Sequence, residues 1–206
     1  MIDSVRIAVF GGTFDPVHLG HTALIRAVLN DFSIEKLYVV PAVISNFKNT
    51  SPGASGTDRM IMLETAIKNA LKEHDMLNRV VISDIELKRG GISYTSDTVR
   101  EIKRIHKSED RIGLVLGDDH FSMLEKWHDF EYLVDNVKFI FYKRLSEEPD
   151  FSTLKKGVEY QYLHLDKIYD ENSTAIRNNF EKYKNYLDKE VVQYIYRNQL
   201  YDTVRT

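Results

Sequence analysis

The chain has no cysteine, which excludes structural disulfides and thiolate metal sites and fits a reducing compartment. It has no basic excess: 28 Lys and Arg stand against 31 Asp and Glu, giving a formal net charge of −3. A broad duplex-binding surface normally carries such an excess, so nucleic acid is not an expected partner. A local basic pocket for a small anion is compatible with the balance. No apolar run approaches the ~20 residues that cross a bilayer, so no membrane association is expected. The opening residues, with Asp3 and Arg6 leading into a strand-like run, lack the layout of a signal peptide. The expectation is a cytoplasmic protein. What is present is a 43% hydrophobic fraction over 206 residues, enough for a real core. The length fits one domain over 1–206, with a small helical portion at about 173–206.

The apolar patterning alternates strands with helices. Residues 5–10 read as a short buried strand closed by Gly11-Gly12, and a helix follows from about His21 to Asp31 with Leu24, Ile25, Val28 and Leu29 on one stripe. Further strands are expected at 36–40, 80–87, 112–116 and 137–142, with a weak one at 160–165. Helices are expected from Asp58, over 98–106, after Ser173 and after Asp188. Residues 42–57, rich in Ser, Asn, Gly and Pro, read as a long loop, and 146–157 as a mobile connection. This order indicates right-handed βαβ units: an α/β, Rossmann-like parallel sheet with helices on both faces.

The most informative stretch is Gly11-Gly12-Thr13-Phe14-Asp15-Pro16-Val17-His18-Leu19-Gly20-His21. It lies at the carboxyl end of the first strand, where open parallel sheets place ligands. Gly11 and Gly12 let backbone approach a phosphate closely. The next helix directs its free N–H groups and positive dipole end at the same point. His18 and His21, three apart, share one face if the helix has begun by His18, and both can then reach a triphosphate lying over the helix start. A glycine pair after a strand is common, and two histidines at this spacing also suit a metal pair or a plain surface face. The crowding of Gly-Gly, Asp-Pro and His-x-Gly-His into one turn is what singles this segment out.

These residues resemble the signature of the nucleotidyltransferase superfamily, in the form used by bacterial nicotinate-nucleotide adenylyltransferases. The resemblance implies that His18 and His21 contact ATP phosphates and act catalytically. It also places Gly11, Gly12, Thr13 and Phe14 at the phosphates. Asn172-Ser173-Thr174-Ala175-Ile176-Arg177 is similar to the second motif of that family, departing at its front, where Glu171-Asn172 replaces Ile-Ser. Ser173 and Thr174 hydroxyls at a helix start cap N–H groups or bind phosphate oxygens. Arg177, one turn on, offers a planar fork suited to phosphate and is the third implied catalytic group.

Four further segments extend the resemblance. Asn46-Phe47-Lys48, followed by Arg59, looks like the lysine loop and the arginine opening the next helix, and implies that Lys48 reaches phosphates. Ser93-Tyr94-Thr95-Ser96-Asp97-Thr98 resembles a segment that implies Tyr94 and Thr95 near the pyridine end of the acceptor. Gly117-Asp118-Asp119 with Trp127, the one tryptophan, implies that Gly117 and Asp119 serve ATP and that Trp127 stacks on the pyridine ring. The stretch 191–201 looks like a closing helix with a packing role and no chemistry.

The implied reaction moves AMP from ATP to nicotinate mononucleotide, with magnesium riding on the ATP phosphates rather than in a protein cage. Alternatives left open are nicotinamide mononucleotide or phosphopantetheine as acceptor, and a nucleotide-binding regulator without activity.

Overall fold

The computed structural model describes residues 5–45, 52–143, 149–165 and 172–203. The lysine-loop residue Lys48, and Glu171 ahead of the second motif, lie outside them.

β1 (Ile7–Gly12), β2 (Lys36–Pro41), β4 (Val80–Ile82), β6 (Ile112–Gly117), β7 (Val137–Tyr142) and β8 (Tyr160–Leu163) form a six-stranded parallel sheet in the order β4-β2-β1-β6-β7-β8. A two-stranded ribbon pairs β3 (Ile44–Ser45) with β5 (Ile92–Ser93). The strand order reverses at β1, which pairs with β2 on one side and β6 on the other, Phe10 lying opposite both Val39 and Val115. At such a switch point the loops leaving two neighbouring strands part in opposite directions and open a crevice at their carboxyl ends.

Both sheet faces are covered, as parallel sheets require. Ala8, Phe10, Leu37 and Val39 face a core shared with α1 (Leu19–Asp31) and α2 (Gly56–Ala70). The same core takes Ile176 and Phe180, together with Val191 and Ile195 of α9 (Lys189–Arg197). The alternate residues Val9, Tyr38 and Val40 face a second core with Val99 and Ile102 of α5 (Thr95–His106) and Phe130 and Leu133 of α6 (Phe130–Asn136). The stripe expected on α1 is the buried one: Leu24, Ile25, Val28 and Leu29 all turn inward. Among the described residues no helix is long and apolar enough to cross a membrane.

Several boundaries differ from the sequence expectation, α5 for one opening at Thr95 rather than Thr98, and three of the differences have a local physical reason. α1 starts at Leu19 rather than near His21, because His18, an unusual cap, takes the extended N-cap conformation. The strand expected over 80–87 stops at Ile82. The apolar residues Ile85 and Leu87 that lengthened the expected strand belong instead to α4 (Ile85–Arg89), where Glu86 is drawn inward to accept from Thr98 Oγ1 at 2.6 Å. The loop expected over 42–57 contains β3 and ends at Ser55, whose hydroxyl caps α2 by accepting from the Asp58 N–H.

Candidate active site

A cavity of about 520 Å3 opens at the carboxyl ends of β1 and β6, at the switch point. Gly11, Gly12, Thr13, Phe14, His18 and His21 of the first turn line it, as do Gly117, Asp119 and Trp127 after β6. Thr95 at the start of α5, and Ser173 and Thr174 at the start of α7 (Ser173–Asn178), complete the expected set found there. Two expected residues stand outside this lining. Tyr94 stacks its ring on His128, centroids 4.2 Å apart, and Arg177 lies behind the first loop.

The glycines differ in what they permit. A Cβ on Gly12 would come within 2.9 Å of the Phe14 ring, so this position must be bare for the loop to fold. A Cβ on Gly11 would meet nothing within 4 Å, so Gly11 leaves its space to the cavity. Phe14, in the left-handed region at φ 49°, is buried and lies edge-on to Phe10 and to His21, at 5.3 and 5.0 Å. Its ring therefore shapes the site as a prop. His21 is fixed again by the His18 N–H, which donates to His21 Nδ1 at 3.1 Å. That leaves Nε2 as the nitrogen carrying the proton of the neutral ring. The His18 and His21 rings lie 3.7 Å apart, side by side at the mouth of α1.

The backbone of the first loop is gripped from three directions. Arg59, buried in α2, donates through Nη1 to both Thr13 O and Ala42 O at 2.7 Å, joining the ends of β1 and β2. Burial pushes its guanidinium pKa down, opposed by the nearby Asp15, Tyr201 and Glu86. Asp15 is 1% exposed, and its carboxylate accepts from Gly53 N at 2.7 Å, Ala54 N at 3.0 Å and the Tyr201 hydroxyl at 2.8 Å. From α7, Arg177 Nη1 donates to Asp15 O at 2.5 Å and Ser173 Oγ to Pro16 O at 2.9 Å. The helix cap is Asn172, whose side chain accepts from Ala175 N. The departure from Ile-Ser thus keeps a capping side chain and leaves both hydroxyls for other work.

The opposite wall is built of side chains. Trp127, 9% exposed, has His120 edge-on at 5.5 Å. His128, which backs Tyr94, lies with Nδ1 3.2 Å from Ser96 Oγ. Glu86, itself a lining residue, is tied to Thr98, which also accepts from Arg89 Nη2 at 3.0 Å. Asp118 is buried and accepts from Tyr162. Sequence reasoning missed Asp15, Glu86, His120 and Tyr201. Asp15 stands inside the first motif, but its partners lie 38 to 186 positions away, and no local pattern signals them. Among the described residues no group of three or more His, Cys, Asp or Glu is placed to hold a metal ion.

A cytidylyltransferase-like family model matches residues 9–195. A probable nicotinate-nucleotide adenylyltransferase of Borreliella afzelii is 33% identical over 84% of this chain and 83% of that protein. Another, from Leptospira interrogans, is 31% identical over 98% of this chain and 99% of its own length. Among solved structures, Plasmodium falciparum nicotinic acid mononucleotide adenylyltransferase complexed with NaAD superposes with a TM-score of 0.80 at 24% identity, covering 96% of this chain and 98% of that one. That likeness establishes the fold, and the sequence relatives establish the lineage. This chain belongs to the nicotinate-nucleotide adenylyltransferase family, within the cytidylyltransferase-like proteins.

Proposed function

We propose that this protein transfers AMP from ATP to the phosphate of nicotinate mononucleotide, giving deamido-NAD and pyrophosphate, and that it does so in the cytoplasm. The observation that carries the reading is the meeting of both signatures and Trp127 around one cavity at the switch point.

An oxygen of the acceptor phosphate, already anionic, attacks the α-phosphorus of ATP. The bond from that phosphorus to the bridging oxygen breaks, and its electrons leave with pyrophosphate. No proton has to be removed, so no general base is required. The work left to the protein is in-line positioning and stabilisation of charge on the leaving group. His18 and His21, with the N-terminus of α1, supply donors over the phosphates. Gly11 and Gly12 leave room for them, Thr13 and Phe14 hold the loop, and Ser173 and Thr174 reach from the second motif. Arg177 acts on the phosphates through the loop it clamps, and Lys48 contributes positive charge to them. Gly117 and Asp119 take the ATP ribose side. Trp127 stacks on the pyridine ring, with Thr95 beside it and Tyr94 supporting the wall through His128. Magnesium enters as part of the ATP substrate, coordinated mainly by phosphate oxygens and water.

The test is pyrophosphate release from ATP and magnesium with one acceptor at a time: nicotinate mononucleotide, nicotinamide mononucleotide or phosphopantetheine. The expected result is a kcat/KM advantage for the acid nucleotide of about tenfold or more, about 1.4 kcal/mol of transition-state preference. Preference for another acceptor keeps the mechanism and reassigns the substrate. Measurable ATP binding without release in any of the three supports a binding protein instead.

A further inference from the structure

We infer that Tyr201, near the end of the described chain, is a positioning residue for the nucleotide-binding loop. It acts through the buried carboxylate of Asp15. The inference rests on the adenylyl-transfer reading for its kinetic consequences, while its geometry stands apart from that reading.

The turn that carries Tyr201 is built against local preference. Gln199 and Tyr201 both sit in the left-handed region, at φ 53° and 58°, which non-glycine residues enter at a cost. The return it makes lays the Tyr201 ring against the backbone at Gly53. A Cβ there would lie 3.4 Å from that ring and from Arg177 Cδ. The hydroxyl then donates to Asp15 Oδ1 at 2.8 Å. Burial, and next the Asp15 carboxylate, push the Tyr201 pKa well up, so the group remains a donor at every working pH.

Asp15 is where four parts of the chain meet. Its side chain takes the N–H groups of Gly53 and Ala54 just ahead of α2, and the hydroxyl of Tyr201. Its carbonyl takes Arg177 of the second motif, and Arg177 Nη1 also lies 3.5 Å from Oδ2. Three residues further on stands His18, which caps α1 and orients His21. The loop between β1 and α1 is held elsewhere by Arg59 at Thr13 O and by Ser173 at Pro16 O, so Asp15 is its central anchor. Removing the Tyr201 hydroxyl leaves a buried carboxylate one donor short, and the loop can relieve that only by shifting. The bonds that Asp15 makes run to Gly53, Ala54, Tyr201 and Arg177, on the side of the cavity away from Trp127 and Thr95, so acceptor binding should not share the loss.

The experiment compares wild type with Tyr201→Phe, Asp15→Asn and the double variant. It reads ATP affinity by calorimetry, KM for each substrate, kcat and the thermal midpoint. For Tyr201→Phe, which keeps the ring, the expected result is ATP affinity weaker by at least threefold and kcat/KM for ATP lower by about tenfold. KM for the acceptor should stay within about twofold. The double variant should lose little beyond Asp15→Asn, because both changes act through one carboxylate. Wild-type ATP affinity and kcat/KM in Tyr201→Phe overturn the inference. So do equal losses for both substrates, or losses that add fully in the double variant. If wild type binds ATP but transfers nothing to any acceptor, the transferase reading fails, and calorimetry alone then decides the role of Tyr201.

Discussion

The two walls of the cavity are made in different ways. On the β1 side the working surface is main chain with two imidazoles at its end: Gly11, Gly12 and the loop down to the His18 and His21 rings, held from behind by Arg59, Arg177, Ser173 and the carboxylate of Asp15. On the β6 side it is side chain held by side chain: His120 against Trp127, His128 under Tyr94, Thr98 between Glu86 and Arg89. Backbone N–H groups and a helix start suit a triphosphate, whose charge is the same in every turnover. Aromatic faces and replaceable polar side chains suit the part of a ligand that must be told from its analogues. The difference teaches that catalytic power and acceptor choice should be separable by mutation.

The largest expected effect breaks the first wall directly. His18→Ala should lower kcat by about 10²-fold or more, as lost oxyanion donors do, with the fold intact by circular dichroism. A purified variant with wild-type kcat removes His18 from the chemistry. Next, Trp127→Ala should raise KM for the acceptor by about tenfold, within the ~1–3 kcal/mol of a base–aromatic stack, while KM for ATP hardly changes. Equal rises in both would erase the distinction between the walls. Arg59→Met keeps the buried stem but leaves Thr13 O and Ala42 O without their donor, at about 1–3 kcal/mol for each buried carbonyl. Its signature is a lowered denaturation midpoint.

The smallest effect lies away from both walls, where α9 docks on α2. Tyr194 donates to Asp58 at 2.8 Å, and burial followed by that bond pushes Tyr194 up to about 12. Tyr194→Phe should cost about 0.5–1.5 kcal/mol at neutral pH. Burial works to raise the Asp58 pKa, but its hydrogen bonds from Ser55 and Tyr194 outweigh that and hold it below the ordinary carboxylate range. A depressed carboxylate contributes its stability above the unfolded value and loses it as pH falls through the folded one. The stability gap between wild type and variant should therefore close below that range. A gap unchanged on acidification would show that the bond does not act through ionised Asp58.

The four central strands were legible because they are largely buried and run almost continuously apolar, and α1 because its stripe keeps helical spacing. The first turn stood out through the crowding of Gly-Gly, Asp-Pro and His-x-Gly-His, and through its resemblance to a known signature, not through any one of these residues. α4 was not legible, since Ile85 and Leu87 extend the β-branched run at 80–82, while the bond from Thr98 that holds Glu86 inward comes from another helix. Phe14 and Tyr94 stand in the region their motifs imply, and their ring contacts, Phe14 edge-on to His21 and Tyr94 stacked on His128, could not be read from the sequence. The closing segment, read as packing, sends Tyr201 to Asp15 across 186 positions, a contact that exists only once the fold does.

The most direct measurement follows the α-phosphate. ATP radiolabelled there is incubated with magnesium, nicotinate mononucleotide and the purified protein, and the label is traced. The expected result is label in deamido-NAD, mole for mole with pyrophosphate, and neither product without acceptor. Label released as free AMP, or pyrophosphate formed independently of acceptor, would contradict adenylyl transfer.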